Sequence, residues 1–404
     1  MLKAKKHFYN VYLDCTEIRC KSSSVLASNI YKYLEENGHN VVNSIQQADY
    51  IILNTCGADS FREKASIDRI DIYKKKSQKV KKIIFLGCLT KINKTLLDGY
   101  ASDIVVFQDN NLLDELFYNN VKYCDVNTRY IDNRIYEKLS IPLHDGALGI
   151  ISKSFEKVFR NKWQSNRFFV EISRGCAMNC GFCAIPNARG KKVVSREKHD
   201  IIADIEQHYS SDKILSLVAD DCGSYGVDIK SNLPSLICDI NSRYPDKPID
   251  INYINPFWLE NNADQYLKII KEMNIVSINI SLQSGSNRII KKMNRRYDIN
   301  KIKEIIRKIR KESPQAILST HLMVGFPGER LADFFSSLFM VSYFDFCNPI
   351  IYTDRPGTMS YEMQDKNSHL TKFVKHKILM IYCIVWYMLK KFSRTVQGYN
   401  IYKY

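Results

Sequence analysis

Three cysteines stand close together in this chain, in the run Ser173-Arg174-Gly175-Cys176-Ala177-Met178-Asn179-Cys180-Gly181-Phe182-Cys183-Ala184-Ile185-Pro186. Three and then two residues separate them. Three closely spaced thiolates can ligate three irons of a cubane [4Fe–4S] cluster, which ordinarily takes four cysteines. No fourth cysteine follows nearby, so one iron would stay open to an outside ligand. The spacing differs from the C-x2-C-x2-C run of bacterial ferredoxins. No C-x2-C…C-x2-C or C-x2-C…H-x3-H pattern completes a zinc site either. So tight a triplet is rare outside metal and redox sites, which argues against three ordinary core cysteines.

Three more cysteines share a position rather than a spacing. The apolar runs Phe8–Cys15, Tyr50–Cys56 and Lys82–Cys88 read as strands, and each ends on a cysteine. Helical patterns lie between them, from about Ser22 to Glu36 with Ser22 or Ser23 as N-cap and Gly38 as the stop, and around Phe61 to Lys76. Strands alternating with helices predict a parallel sheet, and in such sheets ligands sit at the carboxyl ends of the strands. Cys15, Cys56 and Cys88 are therefore expected at one sheet edge as a second metal site. Cys20 is an alternative to Cys15.

From Phe168 the alternation resumes. Strands are expected at Phe168–Ser173, Ile214–Ala219, Ile249–Ile254, Val276–Leu282, Ile317–Val324 and Phe344–Ile351, with helices at Glu197–His208, Leu259–Met273, Asn300–Lys311 and Arg330–Val341. Six such units predict a partial (β/α)6 barrel. The cysteine triplet follows its first strand, at the C-terminal face where barrel active sites gather. The expected organisation is a parallel-sheet domain at 1–120, a linker at 121–165, the partial barrel at 166–360 and a helical tail at 361–404. Cys124 and His144 in the linker read as packing or surface residues.

The chain carries a net charge of +16 with 45% hydrophobic residues. The hydrophobic share suffices for globular cores, and the charge favours a polyanionic partner, nucleic acid before anionic membrane. Met1 to His7 has no apolar signal-peptide core, so the expected location is cytoplasmic. Twelve cysteines in a reducing cytosol read as metal ligands or core residues rather than disulfides.

In order along the chain, these motifs resemble the radical S-adenosylmethionine (SAM) enzymes and, within them, the methylthiotransferase family. Leu53-Asn54-Thr55-Cys56 and Leu86-Gly87-Cys88 match that family's second and third cysteine motifs. Asp14 stands where it usually has Gly, Ile18 where it has Asn and Lys21 where an acidic residue is common. Ile185-Pro186 with Arg189-Gly190 resembles its I-P-x-x-R-G extension, and Asp221 to Gly226 resembles a loop ending in S-Y-G. Gln283-Ser284-Gly285-Ser286, Met293-Asn294-Arg295-Arg296-Tyr297, Gly325-Phe326-Pro327-Gly328-Glu329 and Arg355-Pro356-Gly357-Thr358 match four further signatures. His321 occupies a position where the family has Asp, and no role is assigned to it.

The resemblance implies two [4Fe–4S] clusters and SAM. Cys176, Cys180 and Cys183 would hold the SAM-binding cluster, whose open iron takes the amino and carboxylate groups of SAM. Cys15, Cys56 and Cys88 would hold a second cluster that carries the sulfur. Gln283, Ser284, Gly285, Ser286, Gly325 and Glu329 would line the SAM pocket. Arg295 and Arg296 read equally as a solvated basic patch or a substrate contact. The implied reaction converts C–H to C–SCH3 through a 5′-deoxyadenosyl radical. The acceptor is expected to be an adenosine derivative in tRNA, with a ribosomal-protein aspartate or another peptide as the alternative and flavodoxin or ferredoxin as electron donor. A non-catalytic iron–sulfur or SAM-binding protein is a further alternative, favoured by the altered first cysteine motif.

Members of that family commonly continue into an RNA-binding TRAM domain. Here the residues after Pro356 read instead as a helical tail. Its apolar run Ile378–Leu389 is shorter than the roughly 20 residues of a membrane span, so it is expected to pack on the barrel, with a partner-docking or membrane-surface helix as the alternative that its basic flanks suit.

Overall fold

The computed structural model describes residues 8–18, 20–76, 80–117, 119–135 and 166–396. His144 and residues 397–404 lie outside them. The chain divides into two compact units, Met1–Ser165 with Asn187–Arg189, and Asn166–Pro186 with Gly190–Tyr404.

The first unit is a five-stranded parallel sheet. Its strands are β1 (Asn10–Cys15), β2 (Asn40–Val42), β3 (Tyr50–Thr55), β4 (Lys82–Gly87) and β5 (Val105–Val106), in the spatial order β2-β1-β3-β4-β5. This is the flavodoxin-like order of doubly wound sheets. Every residue of β3 is buried, as a central parallel strand covered on both faces requires. One core layer joins Tyr12, Ile51, Leu53, Phe85 and Leu89 to Ile70 and Tyr73 of the helix Ser60–Lys76. The helix Lys21–Glu36 is capped by Cys20, not by Ser22 or Ser23. Ser24 just inside it donates to Ile18 O at 2.8 Å, so a serine hydroxyl holds the entry loop without being the cap.

The second unit is built on six parallel strands, β6 (Arg167–Glu171), β9 (Ile214–Val218), β10 (Ile249–Ile254), β11 (Ile275–Gln283), β12 (Ile317–Val324) and β13 (Phe346–Ile351). They lie side by side in chain order and form the sheet of a partial barrel. A small antiparallel pair, β7 (Ser173–Arg174) with β8 (Val194–Ser195), brackets the triplet loop. The helix Ile299–Glu312 shows how its outer layer is encoded. Ile299, Ile302, Ile305, Ile306 and Ile309 are buried at three- and four-residue steps, and Asp298 caps the start by accepting from Asn300 N at 2.6 Å. That stripe is the helix's buried side, while Lys301, Arg307, Lys308 and Lys311 face water. The helix expected at Leu259–Met273 is two, Pro256–Asn261 and Ala263–Glu272, broken at Asn262.

The last helix, His369–Val396, packs beside β13, where it buries Leu379 and Cys383 together with several polar groups. Lys375 Nζ donates to Glu329 Oε2 at 2.8 Å, Trp386 Nε1 to Phe344 O at 3.0 Å, and Arg394 Nε pairs with Asp345 at 2.8 Å. Ile381, Ile384, Val385, Met388, Leu389 and Phe392 are left exposed. Among the described residues no helix is long and apolar enough to cross a membrane.

Candidate functional site

In the second unit, the triplet loop is held by residues that follow several different strands. Gly175 begins it at φ +79°, and a Cβ there would run into the backbone at Lys192, so the position calls for glycine. Its N–H donates to Asp220 at 2.9 Å, and Ala177 N–H to Ser224 Oγ at 3.1 Å, both partners lying beyond the end of β9. Gly181 N–H reaches Met293 O at 2.8 Å and Asn294 Nδ2 reaches Asn179 O at 2.6 Å, from the segment after β11. Ser360 N–H, after β13, donates to Gly181 O at 2.8 Å. The C-terminal strand ends thus fix the loop, at the face where this architecture places reactive groups.

Donors gather on the sulfurs. Arg295 Nη1 lies 3.6 Å and Asn255 Nδ2 3.9 Å from Cys180 Sγ, while Met178 N–H and the Ser224 hydroxyl lie 3.4 and 3.9 Å from Cys176 Sγ. Burial, and after it the neighbouring Asp221, pushes the Cys176 thiol up. Burial and the nearby Cys180 push Cys183 up to about 12. Metal binding displaces the thiol protons, and N–H donors to sulfur suit the thiolates that result. Asp221 is itself buried, accepting from Ser224 Oγ, Asn255 N–H and Trp258 Nε1. Among the described residues no three His, Cys, Asp or Glu side chains group closely enough to hold a single metal ion. A cubane differs in taking each thiolate on a separate iron, and the donor set of three cysteines fits it.

Arg295 is neither a solvated patch nor exposed. It is buried, donates to Ser281 O as well as to the Cys180 sulfur, and lies over the Tyr297 ring at 5.2 Å. Sequence reasoning missed this role and those of Asn255 and Ser224. For Asn255 and Ser224 the available signal was their place beyond strand ends, with Asn255 preceding Pro256 as the cap of a helix.

The residues expected to meet SAM fall into two groups. Gln283 ends β11 at φ +75°, and its side-chain oxygen is buried without a hydrogen-bond partner. Such a position is strained for a side-chain-bearing residue and marks a candidate ligand contact. Ser284, Gly285 and Ser286 already have partners on the helix Leu331–Met340. Ser284 Oγ and Gly285 N–H meet Ser337 Oγ at 3.3 and 3.0 Å, and Ser286 Oγ donates to Asp333 at 2.6 Å. Glu329 accepts from Gly325 N–H at 2.9 Å and from Lys375, which leaves its Oε1 unpartnered. Burial raises its carboxyl above the ordinary range, and Lys375 pulls it back. His321 stands against the Tyr253 ring at 5.4 Å.

In the first unit, strand register brings the other cysteines together. Cys15 is the last residue of β1 and pairs with Asn54, two residues before Cys56. Thr55 pairs with Gly87, so Cys56 and Cys88 follow side by side. Gly87 sits at φ +98°, where a Cβ would strike Asn54 and the Thr55 backbone. Ser66 links two of the ends, accepting from Cys56 N–H at 3.3 Å and meeting Thr16 Oγ1 at 2.9 Å. Cys15 and Cys56 are buried, Cys88 and Cys20 half-buried. Burial raises the Cys15 and Cys56 thiols, and Cys20 raises both further. Cys124 is exposed and stands apart, its thiol 3.6 Å from Asp125.

Two family models match the chain. Residues 170–340 match the Radical SAM superfamily, and residues 15–107 match Uncharacterized protein family UPF0004. The chain is 30% identical over 383 residues to the ribosomal protein uS12 methylthiotransferase RimO of Thermosipho africanus, covering 92% of this chain and 82% of that one. It is 26% identical over 394 residues to the tRNA-2-methylthio-N(6)-dimethylallyladenosine synthase of Thermoanaerobacter pseudethanolicus, covering 93% of this chain and 77% of that one. Among solved structures, the radical SAM methyltransferase TsrM of Kitasatospora setae shares the fold, with a TM-score of 0.57 at 13% identity over 88% of this chain and 77% of that one.

Proposed function

The chain belongs to the radical SAM methylthiotransferase family, and from that premise we propose that it inserts a methylthio group at an unactivated C–H bond of a modified adenosine in tRNA. Its domains imply SAM and [4Fe–4S] iron–sulfur chemistry. In this reading Cys176, Cys180 and Cys183 hold the cluster that binds SAM, and Cys15, Cys56 and Cys88 hold a second. Together these groups supply a 5′-deoxyadenosyl radical for hydrogen abstraction and a sulfur for insertion. The chain's own residues orient and shield them. Gly175, Ser224, Met293 and Asn294 fix the triplet loop, while Arg295 and Asn255 aim N–H groups at the Cys180 sulfur. Gln283 offers a buried acceptor for a polar atom of SAM.

The observation that carries the reading is the pair of cysteine sets at strand ends, one in each unit. The net charge of +16 supports a nucleic-acid acceptor, because phosphate neutralisation dominates such binding. Similarity to the RimO of Thermosipho africanus favours a second reading, in which the acceptor is a residue of ribosomal protein uS12. Mass spectrometry of tRNA nucleosides and of uS12 peptides, from cells with and without the gene, separates the two. Loss of a methylthio-adenosine on deletion supports the tRNA reading, and loss of a methylthio group from uS12 alone overturns it in favour of the second.

A further inference from the structure

The first unit gathers four cysteines, one more than its proposed cluster requires. Cys20 is the N-cap of the sixteen-residue helix Lys21–Glu36, and its side chain makes no capping hydrogen bond. The loop carrying it is pinned at both ends to Asn54 near the close of β3. Thr16 N–H donates to Asn54 O at 3.0 Å, and Asn54 Nδ2 donates to Ser23 O at 2.8 Å. Inside the loop Cys20 N–H reaches Glu17 O at 3.2 Å. Asn54 pairs with Cys15 on one side and lies two residues before Cys56 on the other. Cys20 is therefore held at the same strand ends as Cys15 and Cys56. It is half-buried, as Cys88 is, where those two are buried.

We propose that Cys20 is a fourth thiolate of the first unit's cluster site, closing the iron that Cys15, Cys56 and Cys88 leave open. This rests on the second cluster of the function proposed above. Four thiolates saturate a cubane, whereas three leave one iron for an incoming sulfur. Cys20 bound would keep that iron protected in the resting protein, and Cys20 released would open it. The buried Cys15 and Cys56 then serve as fixed ligands and the helix cap as the displaceable one.

The test uses the full chain with Cys176, Cys180 and Cys183 changed to Ala, so that only the first unit's cluster forms on anaerobic reconstitution. Ferricyanide takes one electron from a [4Fe–4S]2+ cluster, and a cluster with an open iron then releases Fe2+ to leave [3Fe–4S]+, which is counted by electron paramagnetic resonance. With Cys20 in place the four-iron cluster is expected to persist. In Cys20→Ser the three-iron signal is expected to rise by about tenfold or more. Serine is a favoured N-cap, so this variant keeps the helix start, and matching circular dichroism of the two apoproteins checks it. Equal three-iron signals with and without Cys20 overturn the proposal alone. Loss of iron binding in Cys20→Ser with retention in Cys15→Ser also overturns it, because Cys20 would then be one of three permanent ligands. Failure of the parent protein to bind iron overturns the two-cluster reading together with this one.

Discussion

Arg69 Nε donates to Asp14 Oδ2 at 3.0 Å, with both side chains buried, immediately behind Cys15. Asp14 is the residue standing where the resemblance leads one to expect glycine, and the structure shows what accommodates it. Tyr73 OH donates to the same oxygen at 2.6 Å, and Asp14 Oδ1 accepts the Cys15 N–H at 2.7 Å. Burial, and then Asp14, raises the Tyr73 phenol well above its ordinary range, which keeps it a donor. Arg69→Met leaves the carboxylate buried without its cation and is expected to cost about 3–5 kcal/mol. The double variant Asp14→Gly/Arg69→Met is expected to cost less than the sum of the single changes. Urea unfolding of the apoproteins measures both, and additive costs would show that the pair is not coupled.

Arg295 is expected to tune the cluster assigned to the triplet. Its N–H and positive charge at the Cys180 sulfur stabilise the more negative, reduced state. Arg295→Gln should therefore shift that cluster's reduction potential to more negative values and slow SAM cleavage by about 10–100-fold, the usual effect of losing a partner that supports a metal ligand. A redox titration followed by electron paramagnetic resonance reads the shift. An unchanged potential would restrict Arg295 to its contacts with Ser281 and Tyr297.

Gln283 combines a left-handed backbone with an unpartnered buried oxygen. Gln283→Ala removes the amide and keeps the strain, while Gln283→Gly removes both. Both are expected to weaken SAM binding by about tenfold, the loss of roughly one hydrogen bond. The glycine variant should be the more stable of the two by about 1 kcal/mol. Calorimetric SAM titrations and melting temperatures check the pair, and equal stability of the two variants would remove the argument for strain.

Asp333 ties the Gln283–Ser286 turn to the helix Leu331–Met340. Burial by itself would raise its carboxyl. The Arg288 guanidinium, the Ser286 hydroxyl and the Arg330 N–H outweigh that and hold it below the ordinary value of 3.8. A folded pKa below the unfolded one contributes stability above the unfolded value and loses it as pH falls through the folded value. Asp333→Asn should thus lower stability at neutral pH by about 1–3 kcal/mol, with the gap to wild type closing below pH of about 4. Melting temperatures across that range test the sign, and a gap that widens on acidification would contradict it.

The strands were legible from short segments rich in Ile, Leu and Tyr, continuous in Tyr50–Leu53 and alternating with Asp250 and Asn252 in Ile249–Ile254. Tyr50–Thr55 and Ile249–Ile254 stand where their composition puts them. β2 and β5, at three and two residues, are too short to carry a pattern. The break at Asn262 was hidden because apolar residues recur on both sides of it with little change of face. At the site, the cysteine positions could be read from spacing and strand ends. Adjacent arginines could not be told apart, since only the backbone after Met293 decides that Arg295, and not its neighbour, turns toward Cys180. The pinning of the Cys20 loop by Asn54 is a long-range tie between a side chain and a backbone oxygen, and local sequence holds no sign of it.

The helix His369–Val396 has no acidic residue in its twenty-eight positions, and it shows water a row of Ile, Val, Met, Leu and Phe. Its lysines and the net charge of +16 make each molecule a cationic colloid with an adhesive flank. At low ionic strength mutual repulsion keeps such flanks apart. At physiological salt the screening length falls to about 8 Å, and the repulsion that protects the flank fades while its apolar attraction does not. The chain's colloidal stability should therefore decline as salt is added, and dilute buffer is the medium in which its molecules stay dispersed.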